Sequence, residues 1–294
     1  MKKHIGEDHS SAKTIFVVVC LKGGVGKSTV SASLAYYLAN VLKKDVGLWD
    51  MDITSPSIPK ILNLQGTGIG FTENGNIAPV NQSKHLKVMS VDFFLPSSDQ
   101  PIVFDEKKKK NHMVQFLKSV EFGKCDYFVF DTPPTTSPEL MTILKLFPSK
   151  KMRIILVTQP GEASSNSVRK SIQHLKATGI PITGMLTNMH GHTCTKCGAF
   201  DAIFPGVVSI EDIANDYGIP YLGRVELGWV RTTKKGASII RMDKFKPIGQ
   251  AIVKNRPVKF KPKKEKIATW EKMMIARKID SRLNKFVKGV KHGN

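Results

Sequence analysis

Short, continuous apolar runs alternate along this chain with stretches of helical period. Ile15 to Leu21 is unbroken apolar sequence, and Val30, Leu34, Leu38 and Val41 then recur at three-to-four spacing. The first pattern predicts a buried strand and the second one face of a helix. The alternation repeats: strands are predicted over Asp45 to Asp50, Leu86 to Phe94, Asp126 to Asp131, Ile154 to Thr158 and Ile182 to Asn188. Helices are predicted from Asp105 to about Val120 and from Ala163 to Thr178. The Gly- and Asn-rich stretch 65–81 predicts a turn-dense connection or hairpin. Strand, helix, strand in repeated order predicts an α/β fold, a mostly parallel sheet with helices on both faces.

Pattern also divides the chain. Residues 1–13 are polar and aperiodic, which predicts a mobile arm, and 14–255 form the α/β domain. From Arg256 the chain is basic with two prolines, a linker composition. Ile267, Trp270, Met274, Ile279, Leu283, Phe286 and Val290 then fall near helical spacing among Lys and Arg, predicting a basic amphipathic helix.

Composition sharpens this. A 294-residue chain that is 41% hydrophobic has ample material for a core, and no apolar run approaches membrane-span length. Four cysteines argue against a disulfide framework and for the reducing cytoplasm. The net charge is +21, and residues 256–294 hold ten of those excess charges. Such a tail packs on its own domain or across a dimer, or else meets nucleic acid, an anionic membrane or an acidic client protein.

The candidate chemistry starts in the loop Lys22-Gly23-Gly24-Val25-Gly26-Lys27-Ser28-Thr29. Strand, glycine loop and helix are the context of a phosphate-binding loop. Its glycines let backbone N–H groups turn inward, the helix adds its positive end, and Lys27 supplies a point charge for the β and γ phosphates. The Ser28 hydroxyl suits Mg²⁺. Asp50 and Asp52 end one predicted strand, Asp131 another and Asn188 a third, at the edge where ligands bind an open α/β sheet. Asp131 suits the carboxylate that holds Mg²⁺ directly or through water.

Cys194 and Cys197 form a Cys-x-x-Cys pair, with His190 and His192 just upstream. Two thiols at this spacing are half a metal site. Three completions are open on spacing alone. The histidines finish a zinc site in one chain, the pair forms a redox disulfide, or two subunits each give two thiolates to one cluster. Cys20 and Cys125 sit in or beside predicted strands and are read as inert thiols.

The second lysine of the loop, Lys22, resembles the deviant Walker A loop of the family that includes MinD, ParA, the nitrogenase iron protein and the Mrp/ApbC iron–sulfur carriers. Asp50-Met-Asp52-Ile, Asp131-Thr-Pro-Pro, Asn188-Met189, Cys194-x-x-Cys197-Gly198, Phe204, Gly206 and Tyr217 to Arg224 follow the Mrp/ApbC pattern in order. The resemblance implies an ATP hydrolase that closes as a homodimer around nucleotide, with Lys22 reaching the partner's phosphates. It implies that Asp52 orients the attacking water and that Asn188 reads the adenine ring. Among the three completions it implies a [4Fe–4S] cluster shared across the dimer by Cys194 and Cys197, carried to apo iron–sulfur proteins. The sequence departs from the family at Ser55 and Thr135, which fill usual glycine slots, at Thr195, which stands for proline, and in lacking a Trp-Arg-Gly motif. The competing expectations are a ParA- or MinD-like spatial-organisation ATPase acting through the basic tail and, third, a nucleotide-driven reductase.

Overall fold

The computed structural model describes residues 12–20, 22–95, 106–133, 137–194, 196–202, 209–233 and 236–254. The basic tail from Arg256, Thr135, Thr195, Phe204 and Gly206 lie outside these residues, as does the arm up to residue 11. Ala12 and Lys13 already belong to the domain: Ala12 is fully buried, and the Lys13 N–H donates to the Asp126 carbonyl at 2.9 Å.

In chain order, β1 (Thr14–Val19) leads through the glycine loop into α1 (Lys27–Tyr36). β2 (Val46–Asp50) precedes a short α2 (Ile58–Ile61), a small hairpin of β3 (Gly70–Phe71) and β4 (Ile77–Ala78), and the antiparallel pair β5 (Val80–Ser83) and β6 (Leu86–Ser90). α3 (Glu106–Ser119), β7 (Tyr127–Asp131), α4 (Pro138–Leu146), β8 (Met152–Thr158), α5 (Glu162–Ala177) and β9 (Ile182–Thr187) follow. The hairpin β10 (Gly191–Thr193) and β11 (Phe200–Ala202) precedes α6 (Ile210–Asp216) and β12 (Tyr221–Arg224). A last hairpin, β13 (Val230–Thr232) with β14 (Ser238–Ile240), leads into α7 (Met242–Lys254).

Among the described residues, eight strands form one sheet in the order β12-β9-β8-β1-β7-β2-β6-β5. Every neighbouring pair is parallel except β5 with β6. The predicted parallel α/β sheet is therefore what forms. β1 lies between β7 and β8, so the loop after it opens at the switch point where ligands bind. Ile15, Val17, Val18 and Val19 of β1 are fully buried, each contributing about 1.5–3 kcal/mol. Trp49 of β2 packs against Phe116, Phe122 and Phe130 at ring separations of 5.4, 5.1 and 6.3 Å.

Two expected elements end differently. The predicted helical face of Val30, Leu34, Leu38 and Val41 holds only to Leu38, because a π-helical turn, Tyr37–Val41, follows α1 and Leu42 N–H bonds to Tyr37 five residues back. The extra residue per turn rotates Val41 outward, to 39% exposure. The strand expected to reach Phe94 stops at Ser90, whose hydroxyl accepts the Asp92 N–H and starts a 3₁₀ turn over Val91–Phe94.

Candidate functional site

The glycine loop closes at the carboxyl end of β1. Gly24 and Gly26 adopt φ of 81° and 80°, left-handed values that a side chain would strain. A Cβ at Gly26 would also collide with the Asn188 amide. Gly26 caps α1, so the free N–H groups of the first turn face the cleft. That cleft, of about 330 Å³, is lined by the loop from Gly23 to Thr29 (Val25 apart) and by Cys20, Asp52, Ser57 and Ile61. Cys20 is thus not a plain core thiol: it forms part of the cleft wall, and burial pushes its pKa up to about 11.

Lys27 is 7% exposed, and its Nζ lies 2.8 Å from Asp131 Oδ1. Burial alone would lower the lysine pKa, but the Asp131 carboxylate more than offsets it and the net shift is upward. Ser31 Oγ donates to the same Oδ1 at 2.9 Å. The second oxygen, Asp131 Oδ2, is buried and accepts no hydrogen bond. A buried carboxylate oxygen without a hydrogen-bond partner, on a residue whose lysine also reaches Ser28 Oγ at 3.4 Å, fits a hard cation with oxygen ligands. Ser28 and Asp131 are the residues that would hold Mg²⁺.

Asp50 and Asp52 part company. Asp50 is fully buried, opposite Asp131 in register. Its Oδ2 accepts from Ser57 N–H at 3.1 Å, Ile58 N–H at 3.2 Å and Ser90 Oγ at 3.1 Å, and Oδ1 from Asp52 N–H at 3.3 Å. Burial first, and the Asp131 charge second, raise its pKa well above the usual carboxylate range. Asp50 therefore positions the turn that carries Asp52 and Ser57, while Asp52 itself faces the cleft. Asn63, just past α2, carries the brace further. Its Nδ2 donates to the Ser238 carbonyl at 2.7 Å and its Oδ1 accepts the Ser238 N–H at 2.6 Å. Lys22 is exposed at the loop's mouth.

Asn188 lies beneath the loop, 1% exposed. Its Nδ2 donates to the Val25 carbonyl at 2.9 Å, and its Oδ1 accepts the Trp229 indole N–H at 3.1 Å. In this structure the amide braces the phosphate loop. Trp229, buried and stacked on Phe245 at 5.1 Å, escaped the sequence reading. Its only sequence signal is a lone indole in a polar stretch.

Cys194 and Cys197 sit at the turn between β10 and β11. Cys194 N–H donates to Ala199 O at 2.8 Å and Gly198 N–H to Cys194 O at 2.9 Å, with Gly198 at φ 74°. The N–H groups of Cys197 and Lys196 point at the Cys194 sulfur and draw its pKa below the usual thiol value. This amide support favours thiolate, the ligand form. Cys194 is half-buried and Cys197 exposed, and neither is in a disulfide. Among the described residues no three His, Cys, Asp or Glu are placed to hold one ion. His190 instead stacks on Phe200 at 5.6 Å and meets Arg224 at 3.3 Å.

Comparison with known proteins agrees with this geometry. The family model described as NUBPL iron-transfer P-loop NTPase, of the ParA group, matches residues 11–255. A mouse protein named cytosolic Fe-S cluster assembly factor NUBP2 is 36% identical over 236 residues, 79% of this chain and 85% of its own length. A nucleotide-binding protein from Archaeoglobus fulgidus, solved with ADP, superposes with a TM-score of 0.64 at 26% identity, over 86% of this chain and 92% of that one. MinD from Pyrococcus horikoshii, solved with Mg-ADP, shares the fold at a TM-score of 0.58 and 19% identity, over 84% and 99% of the two chains.

Proposed function

The chain belongs to the NUBPL iron-transfer P-loop NTPases of the ParA family, and from that membership we propose that it is an ATP-dependent iron–sulfur cluster carrier of the cytoplasm. The cargo is a [4Fe–4S] cluster, held between Cys194 and Cys197 of two copies and passed to apo iron–sulfur proteins. One observation carries this reading. The cysteine turn offers two accessible sulfurs, one already supported by amides, and nothing else among the described residues to complete a site. A second copy supplies the missing pair.

The nucleotide cleft is the switch. Mg²⁺, when bound, neutralises charge on the β and γ phosphates. Lys27 is held by Asp131 until a phosphate competes for its ammonium, and that exchange leaves Asp131 Oδ1 with the Ser31 hydroxyl beside the unpartnered Oδ2, the oxygen that would hold the cation. The loop amides cradle the phosphates, Asp52 orients the attacking water, and exposed Lys22 extends to the nucleotide of the other copy. Adenine recognition by Asn188 requires it to exchange its bond to Val25 or to Trp229 for a base edge. Ser55, in a usual glycine slot, bears on the rate of hydrolysis more than on nucleotide binding. Tail contact with nucleic acid or anionic membrane belongs to residues outside those described. The spatial-organisation reading gives the cysteine turn no task, and the named relative is an iron–sulfur assembly factor.

The test is transfer. Protein loaded anaerobically is mixed with an apo-ferredoxin, with and without Mg-ATP, and acceptor absorbance is followed. Nucleotide-dependent transfer that is lost in Cys197→Ser supports the proposal; transfer that ignores both nucleotide and Cys197 refutes it.

A further inference from the structure

Beside the cysteine turn lies a cleft of about 150 Å³ that the nucleotide machinery does not use. Cys194 stands in one wall. Glu226 and Trp229, after β12, form another, and Arg231 of β13 with Arg241 and Lys244 at the start of α7 close it. Three cations thus face one carboxylate, next to a thiol. Arg231 Nε bonds the Gly228 carbonyl at 3.2 Å, and one Arg241 nitrogen bonds Asp243 at 2.9 Å. These bonds fix both guanidinium groups in place, and each retains further N–H donors.

Size decides what fits. Pockets that enclose a whole small molecule run from about 300 to 1,000 Å³. This one, at about half the lower bound, admits a single side chain. Trp229 gives it an apolar wall for a methylene stem, and the cations take a charged head. A nucleic-acid phosphate suits it poorly, because the backbone of a polynucleotide tracks an open basic groove and Glu226 would face it.

We propose that this cleft docks an acidic side chain of the protein that exchanges a cluster with Cys194, bringing the partner's own cysteines against the turn. The partner is a protein segment with Asp or Glu close to its cysteine ligands. This inference rests on the carrier reading, and it deepens that reading by naming how a client is recognised.

The experiment is fluorescence anisotropy with the full-length chain under reductant, so that no mixed disulfide forms. The probe is a labelled peptide carrying two cysteines flanked by glutamates, with a glutamine version as its neutral counterpart. Lys244→Glu and Arg231→Glu lie on different elements, so loss of binding in both is not one local misfold. Lys118→Glu, on α3, makes the same charge change outside the cleft. We expect both cleft variants to weaken the acidic peptide about tenfold or more, Lys118→Glu less than about twofold, and the glutamine peptide to bind as poorly as the variants. Equal effects from all three substitutions, unchanged binding in the two cleft variants, or displacement of the peptide by an oligonucleotide of equal charge would overturn the proposal. Cluster uptake by the wild-type chain is read separately by its absorbance near ~400 nm. If no cluster is taken up and the peptide pattern holds, the carrier reading fails and the acidic-side-chain site stands.

Discussion

The Trp229 indole donates to Asn188 Oδ1 at 3.1 Å, and the same amide donates to the Val25 carbonyl at 2.9 Å. One buried side chain therefore joins the wall of the Cys194 cleft to the phosphate loop. Trp229→Phe keeps the ring on Phe245 but strands a buried acceptor. It should cost about 1–3 kcal/mol in denaturant unfolding and reduce the effect of nucleotide on cluster transfer. A variant that transfers with full nucleotide dependence would show that the loop and the cleft are not linked through Asn188.

Removing Lys27 separates a buried ion pair. Lys27→Ala leaves Asp131 Oδ1 with the Ser31 hydroxyl alone and should cost about 3–5 kcal/mol. Wild type should gain about 2.7 kcal/mol in Mg-ATP at a hundred times its Kd, and the variant none at the same concentration. Differential scanning fluorimetry with and without Mg-ATP reads both effects.

Asp50 gives a pH signature. Its carboxyl pKa is raised in the folded state, first by burial and then by Asp131, so folding favours the protonated form. That contribution is complete below the unfolded carboxylate pKa, near ~3.9, and is lost as pH rises toward the folded value. Asp50→Asn lacks this loss. Its melting temperature, compared with wild type, should improve steadily from pH 4 upward, although the amide oxygen cannot keep every bond that the carboxylate accepts from Ser57, Ile58 and Ser90. A gap that stays constant with pH would mean that Asp50 titrates as it does in the unfolded chain.

Thiol reactivity should follow the same logic. Cys197 is exposed and Cys194 is amide-supported, whereas Cys20 is buried with a pKa pushed up to about 11. At pH 7.5 a thiol of that pKa is roughly 0.03% thiolate. Brief iodoacetamide treatment of metal-free protein, followed by mass spectrometry, should label Cys194 and Cys197 and spare Cys20. Early labelling of Cys20 would contradict its burial in the cleft wall.

The phosphate loop, the acidic strand ends and the cysteine pair were legible because each is encoded in contiguous residues with a fixed backbone demand. What long-range packing decides was not. Asn188 and Trp229 lie 41 residues apart and meet only across the folded sheet. Asp50 stood in the sequence among the carboxylates at the ligand edge, and its role as a brace shows only in the fold, since its partners Ser57, Ile58 and Ser90 come from two other segments. β5 escaped because Val80-Asn-Gln-Ser83 is short and polar, as an edge strand can be. Val41 was placed in the core because helical spacing was extended through a π turn.

The central claim is that two chains share one cluster through Cys194 and Cys197. Anaerobic reconstitution with iron and sulfide, followed by native mass spectrometry with metal analysis, tests it most directly. The account predicts a dimer holding about four iron and four sulfide, with both lost in Cys194→Ser. Zinc in place of iron, or a cluster carried by the monomer, would contradict it.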